Sequence, residues 1–564
     1  MVSMGNGRSA VFRRRNVIAL AAAVVIALVA TFYVVSNRPE PTAESVVDDF
    51  IAALGEGDVA AAAELTTYPN AAETTIGQMF EGLDPERASF DLTQFVKLNE
   101  NTGFFTMAAN WNFGKGKDWG YQVQGGVRDL SMGWRIQWDP SVMAPDLGIG
   151  SKVRYDRTDA APPLIFENTG SVLMNEQIIN VIVLDPATMP DPVATTTRRL
   201  ADVIKPVAPL VTSESMLAEM DKKPGEQVVA VKLRDQDFNY LDRNNEFAIP
   251  GIIVDKQPTL ITADRRITSP LEDSLKNVWQ ANRDETAGWA VHIVKPDGTP
   301  VRQAGFQGPP GPNINATMDS TIQLAAEDAV VSAGTPSAIV AIQPSTGAVL
   351  AAAQNNQAIE QGPVAFEHLY PAGNTLDLVR KAAGLEKGVD PNSLSAEEIE
   401  KTGHQLGLGR NYDILGMDQE TAVFTASGSG MDQAMNTEGA YPAVTPFGMA
   451  MLAASISRGS APVPMIVHGQ PATTEIEAPP LPPEINEQLR NMMRDNVARG
   501  GGSYLRGHPG LMGMTAKAGD DRWFFGSRGD FAFAVLVADA DGSDRAVKMA
   551  DRLLIEMAER ANQK

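Results

Sequence analysis

The sequence contains no cysteine. That excludes a disulfide framework, thiol catalysis, cysteine-based zinc sites and lipid attachment through cysteine, and it leaves the compartment open, because many exported proteins avoid the residue. Histidine is scarce. The five histidines, at positions 292, 368, 404, 468 and 508, stand far apart without H-E-x-x-H spacing, so no metal site and no cofactor is expected. Positive charge is short as well: 47 Lys plus Arg oppose 69 Asp plus Glu, giving −22 and a pI near 4.7. A polyanion would have to bind against that field, which argues against nucleic acid as a partner.

Long apolar runs are absent with one exception. Val17 to Val35 is a stretch of 19 uncharged, mostly apolar residues, enough to cross a hydrocarbon core of about 30 Å at about 1.5 Å per helical residue. Arg8, Arg13, Arg14 and Arg15 precede it, while Arg38 on the other side is followed by Glu40, Glu44, Asp48 and Asp49. The positive-inside bias then predicts a single-pass anchor in the cytoplasmic membrane, with residues 1–16 as a cytoplasmic tail and the bulk of the chain extracytoplasmic. A cleaved signal peptide is the competing reading, but Tyr33-Val34-Val35-Ser36 is a poor cleavage site.

A chain of 564 residues, 43% of them hydrophobic, has material for three or four domain cores. After the anchor, Val46, Val47, Phe50, Ile51 and Leu54 recur at helical spacing, and a second helix is expected over Asp58 to Leu65. Phe104 to Met107, Tyr121 to Val123 and Gly133 to Trp138 are aromatic or β-branched runs broken by turn residues, which predicts an antiparallel meander. The cluster Gly308-Pro309-Pro310-Gly311-Pro312 marks a linker. Beyond it, a helix over Ile322 to Val331, a hairpin from Ala338 to Leu350, strands at Trp523 to Gly526 and Phe531 to Val537, and a closing helix through Val547, Ala550, Leu554, Met557 and Ala561 describe a second α+β domain.

Several ordered segments carry a resemblance. Thr317-Met318-Asp319 with Gln323 and Glu327, the run Ile339 to Ala351, and Thr445-Pro446-Phe447-Gly448-Met449-Ala450 resemble successive signatures of the transpeptidase domain of class B penicillin-binding proteins. Trp134 to Gly148 is similar to the end of the nuclear-transport-factor-like N-terminal domain of the methicillin-resistance type. The resemblance spans roughly residues 40 to 560. It implies a multidomain α+β fold: a nuclear-transport-factor-like domain over 40–148, a linker or dimerisation domain over 150–312, and a transpeptidase-like domain over 315–564 with an antiparallel sheet flanked by helices.

The family's chemistry needs a serine nucleophile with a lysine at i+3, so that both lie on one helical face and the amine can relay the hydroxyl proton. Here Tyr370-Pro371-Ala372-Gly373-Asn374-Thr375-Leu376-Asp377 stands where the family has Y-x-P-G-S-T-F-K. Asn374 takes the nucleophile's place and Asp377 the lysine's, and a carboxamide forms no ester acyl-enzyme. Asn374 reads instead as a helix N-cap, with Asp377 complementing the positive end of the helix. The family's S-x-N tripeptide occurs nowhere, and Glu386 to Ser395 reads as a deletion across one cleft wall. Ser427 and Ser429, in a Ser-Gly-Ser-Gly setting, are the serines that could stand in from elsewhere, although a flexible turn is the simpler reading.

The literal Lys401-Thr402-Gly403 follows a charged helical stretch, so Gly403 reads as a helix terminator rather than part of a substrate strand. The strand expected to carry K-T-G matches either Met514-Thr515-Ala516 or, better, Lys517-Ala518-Gly519, which keeps the lysine and glycine before a tight turn but puts Ala518 in place of the hydroxyl. Pro162 to Gly170 keeps only the glycine of the family's linker motif. The resemblance thus implies a wall-facing protein of peptidoglycan synthesis or division, with cell-wall synthesis or division proteins and a peptidoglycan stem peptide or β-lactam as partners. The residues oppose acyl transfer, which predicts a pseudo-transpeptidase with a binding or scaffolding role. The alternatives are an active D,D-transpeptidase using a displaced serine, and a membrane-tethered ligand sensor or adaptor.

Overall fold

The computed structural model describes residues 41–190, 192–424 and 442–562. The anchor expected at Val17–Val35 and the serines Ser427 and Ser429 lie outside them. Among the described residues no helix is long and apolar enough to cross a membrane. The chain forms mixed α+β structure with several antiparallel sheets, and it divides into two compact units: residues 1–160 with 287–309, and residues 161–286 with 310–564.

In the first unit, helices Ala43–Glu56, Val59–Glu64 and Pro69–Leu83 cover one face of a four-stranded meander of strands Arg87–Asn99, Thr102–Asn112, Asp118–Leu130 and Gly133–Gln137. Thr42 opens the first helix with a capping box, and Gly57 in the left-handed region closes it, which fixes its ends. Val46, Val47, Phe50 and Leu54 are the buried stripe that the helical spacing predicts. The interior is filled with aromatic rings. Trp111 packs edge-on to both Phe80 and Phe90, and its indole N–H donates to the Tyr121 hydroxyl, which in turn donates to the Met143 carbonyl. Burial raises the Tyr121 hydroxyl pKa well above its ordinary value.

The first compact unit extends past the boundary expected at residues 148–150. Strand Lys152–Thr158 pairs antiparallel with Gly288–Val294, which pairs with Pro300–Phe306, so this later hairpin belongs to the first unit. The cause is close packing: a Cβ at Gly82 would lie 2.1 Å from the Val153 carbonyl oxygen, so helix Pro69–Leu83 seats directly on that added sheet. The unit boundary falls between Pro309 and Pro310, inside the proline-glycine cluster.

The second unit contains two layers of different kind. Strands Val172–Leu184, Val228–Arg234 and Ile252–Thr262 carry helices Ala194–Ile204, Ser213–Lys222 and Asp235–Leu241 around a core of Ile182, Leu184, Leu200 and Leu233. Further along, five antiparallel strands run in the order Val349–Gln354, Ser337–Ile342, Phe531–Val537, Asp521–Arg528 and Leu511–Ala518. Helices Ser320–Val330 and Arg545–Ala561 cover one face, and the buried helix Pro446–Arg458 covers the other. Because both faces are covered, the central strands read as continuous apolar runs, Ser-Ala-Ile-Val-Ala-Ile and Phe-Ala-Phe-Ala-Val-Leu-Val, rather than alternating ones. Thr445 starts the buried helix by accepting the Gly448 N–H, with Pro446 at its first position.

Candidate functional site

The site is where the Tyr370–Asp377 turn meets the last strand of that sheet. Strand Tyr370–Pro371 pairs with Ala443–Val444, and helix Asp377–Lys387 begins six residues after Pro371, so the turn between them is held at both ends. Gly373 adopts φ +53°, and a Cβ there would stand 2.2 Å from the Lys517 carbonyl oxygen and 2.7 Å from the Ala518 Cβ. Only glycine permits so close an approach. Asn374 then makes two bonds to one residue: its backbone N–H donates to the Lys517 carbonyl at 3.2 Å, and its Oδ1 accepts the Lys517 N–H at 2.6 Å.

This differs from the expected helix cap. The helix starts at Asp377 with Leu376 in the capping place and no side-chain cap bond. The Asn374 side chain is engaged by the strand instead, and only its backbone carbonyl meets the helix start, accepting the Asp377 N–H at 3.3 Å. Asp377 is exposed and pairs with Arg380 at 3.1 Å, one turn on. Thr375, the hydroxyl nearest in sequence, is fully buried, and its Oγ1 has no hydrogen-bond partner.

The structure brings Asn374, Lys517 and Ala518 together and leaves Asp377 on the helix surface. Ala518 pairs with Asp521 and Lys517 with Arg522 across the hairpin, and Gly519 turns it at φ +57°. The Lys517 side chain is exposed and forms no ion pair among the described residues. The other register, Met514-Thr515-Ala516, lies on the same strand, where Thr515 donates to Asn496 against the Gly501 turn. Lys401-Thr402-Gly403 lies within helix Ala396–Gln405 and not on a strand. Gly403 does not terminate it: the helix runs on to Gln405 and the left-handed turn falls at Gly407, φ +85°. Gly403 is there because a Cβ would meet the Phe424 ring at 2.3 Å.

Sequence reasoning missed the groups behind the turn. Tyr370 packs edge-on to Trp523 and lies beside His368, whose imidazole is pushed down by burial. Burial raises the Tyr370 hydroxyl, and the charges of Asp521 and Asp539 add to it. The Asp521 carboxyl is also pushed up by burial and by Asp539, although it accepts the Asp539 N–H. Only an aromatic before the proline hinted at this cluster in the sequence. Glu167 was missed too: within the Pro162–Gly170 stretch its carboxylate accepts the Ser320 N–H at 2.7 Å, bonding to the start of helix Ser320–Val330. Among the described residues no group of three or more acidic or histidine side chains suits a metal ion.

Comparison with known proteins adds one relation. Residues 42–151 match the family described as the NTF2-like N-terminal transpeptidase domain. No curated protein matches the chain. The three helices and four-stranded meander of the first unit occupy that matched segment, and the match supports an architecture like that of penicillin-binding proteins of the methicillin-resistance type.

Proposed function

We propose that this is a membrane-anchored, wall-facing protein of penicillin-binding-protein type that acts in peptidoglycan synthesis or division by binding, without acyl transfer. The observation that carries this reading is the Asn374 clasp. A transpeptidase of this kind needs an alcohol at the turn, a base within hydrogen-bond reach and an open strand edge to receive an extended peptide. Here the turn presents a carboxamide, and the N–H and carbonyl of Lys517 that face it are both engaged by Asn374. Asp377 pairs with Arg380 and offers no amine. Ala518 offers no hydroxyl for a substrate carboxylate. The remaining role is to hold a partner or ligand at the membrane, with the Val17–Val35 run as the anchor.

The test is turnover of a D-alanyl-D-alanine stem peptide by the full-length protein, with an active transpeptidase in parallel. The expected result is no release of D-alanine. Release above the heat-inactivated control would refute the reading and direct attention to a serine elsewhere, Ser427 and Ser429 first.

A further inference from the structure

The meander of the first unit ends in two hairpin turns that lie side by side. Strand Arg87–Asn99 turns into Thr102–Asn112, strand Asp118–Leu130 turns into Gly133–Gln137, and Thr102 pairs with both Asn99 and Arg128. The Asp129 N–H donates to the Asn101 carbonyl at 2.9 Å, tying one turn to the other. This double tip is unusually apolar for a solvated sheet end. Leu98 and Met132 are 65% and 67% exposed, and Val96, Phe104 and Leu130 are exposed beside them. Val96 and Phe104 are cross-strand partners on the face opposite the helices. Basic residues flank the set: Lys97, whose ammonium stands 5.9 Å over the Trp134 ring, with Arg128 and Arg135 paired across the second hairpin. Against Glu100 and Asp129 the tip is locally positive in a chain of net −22.

We propose that this double tip is a second membrane contact, dipping its apolar side chains into the headgroup region of an anionic bilayer. The inference rests on reading Val17–Val35 as the anchor. Residues 36–41 then tether the first helix, and six residues reach at most about 20 Å. A domain of the 42–151 span has a radius of gyration of about 13 Å, so the tether confines the whole domain next to the lipid surface. Exposed aliphatic and aromatic side chains beside an excess of basic over acidic residues, here Lys97, Arg128 and Arg135 over Glu100 and Asp129, favour such a surface through apolar burial and attraction to anionic lipid. The chain's overall negative charge would repel that surface, which makes a local positive rim the part able to approach it.

The absence of cysteine makes the test clean. Full-length protein carrying Leu98→Cys, Met132→Cys or, on an exposed helix position, Glu73→Cys is labelled with the environment-sensitive dye NBD and reconstituted in phosphatidylcholine vesicles containing a minority of phosphatidylglycerol. The expected result is blue-shifted emission at 98 and 132 with roughly twofold quenching by doxyl lipid, and neither at 73. Adding Leu98→Asp to the Met132→Cys chain should return the quenching to the level of the 73 site. Solvent-like, unquenched emission at both tips overturns the proposal. Blue-shifted emission without lipid quenching also overturns it, and identifies a protein surface, such as a second copy, as the occupant. Retention of the same sample in vesicles after an alkaline wash reports the anchor separately. Retained but unquenched protein refutes the tip contact alone, whereas protein that washes off unquenched refutes both.

Discussion

Two glycines flank the clasp in the same backbone region, and comparing them isolates what the clasp contributes. Gly373 and Gly519 have φ of +53° and +57°, so alanine at either incurs the left-handed cost of roughly 1–2 kcal/mol. Their surroundings differ. A Cβ at Gly519 meets nothing within 4 Å, whereas one at Gly373 would sit 2.2 Å from the Lys517 carbonyl oxygen, a distance that forces the turn off the strand. Displacement breaks the two hydrogen bonds between Asn374 and Lys517, each worth about 0.5–1.5 kcal/mol. Subtracting the Gly519→Ala effect from the Gly373→Ala effect should leave about 1–3 kcal/mol, or about 5- to 150-fold in local opening. Hydrogen exchange of peptides covering strand Leu511–Ala518, read by mass spectrometry in each variant, measures that ratio. Equal acceleration in the two variants would refute the close contact between turn and strand.

Other consequences are independent of the clasp. The Glu272 carboxyl is pushed up to about 7 by burial, with Lys276 opposing the shift. A folded pKa above the unfolded one means that its stabilising contribution is full below about 4.5 and is lost as pH rises through about 7. Glu272→Gln should therefore match the wild type near the acid end and exceed it by up to about 3 kcal/mol above neutrality, read as unfolding midpoints across pH; a difference independent of pH contradicts this. Gly403→Ala drives a methyl into the Phe424 ring and should destabilise by about 1–3 kcal/mol of overpacking, offset by about 1 kcal/mol of helix propensity. Lys401→Ala should change urea unfolding little, and a larger loss there than at 403 would return a role to that tripeptide. Tyr121→Phe removes the hydroxyl shared by Trp111 and Met143, with an expected loss of about 1–3 kcal/mol in the same assay; a neutral change would argue that the first unit's core does not depend on it.

The fold was legible where one periodicity dominates. Val46 to Leu54 announced a helix because one stripe is buried, and the runs at 337–342 and 531–537 announced strands because both faces are covered. Strand Arg87–Asn99 was not foreseen, since only Phe90 is buried, exposed Val96 and Leu98 stand among polar residues without a clean two-residue alternation, and a register shift between Leu92 and Gln94 interrupts the pattern. The return of Gly288–Phe306 to the first unit was hidden as well, because a pairing across more than a hundred residues leaves no local trace. At the site, residue types and spacing located the turn and the strand but not their relation. Asn374 looked like a cap because the helix that follows is visible in sequence, whereas the strand edge that takes its bonds lies 143 residues away.

The central claim is that the Asn374 turn does not form an acyl-enzyme. The most direct measurement is covalent labelling of the full-length protein by a fluorescent β-lactam, with heat-denatured protein and a known transpeptidase as controls and peptide mapping of any adduct. The account predicts no adduct on the folded protein, and none after Asn374→Ser with Asp377→Lys, because Ala518 and the missing S-x-N element still deny the substrate its anchors. A stable ester adduct at a serine of the unaltered chain would contradict it and identify the nucleophile.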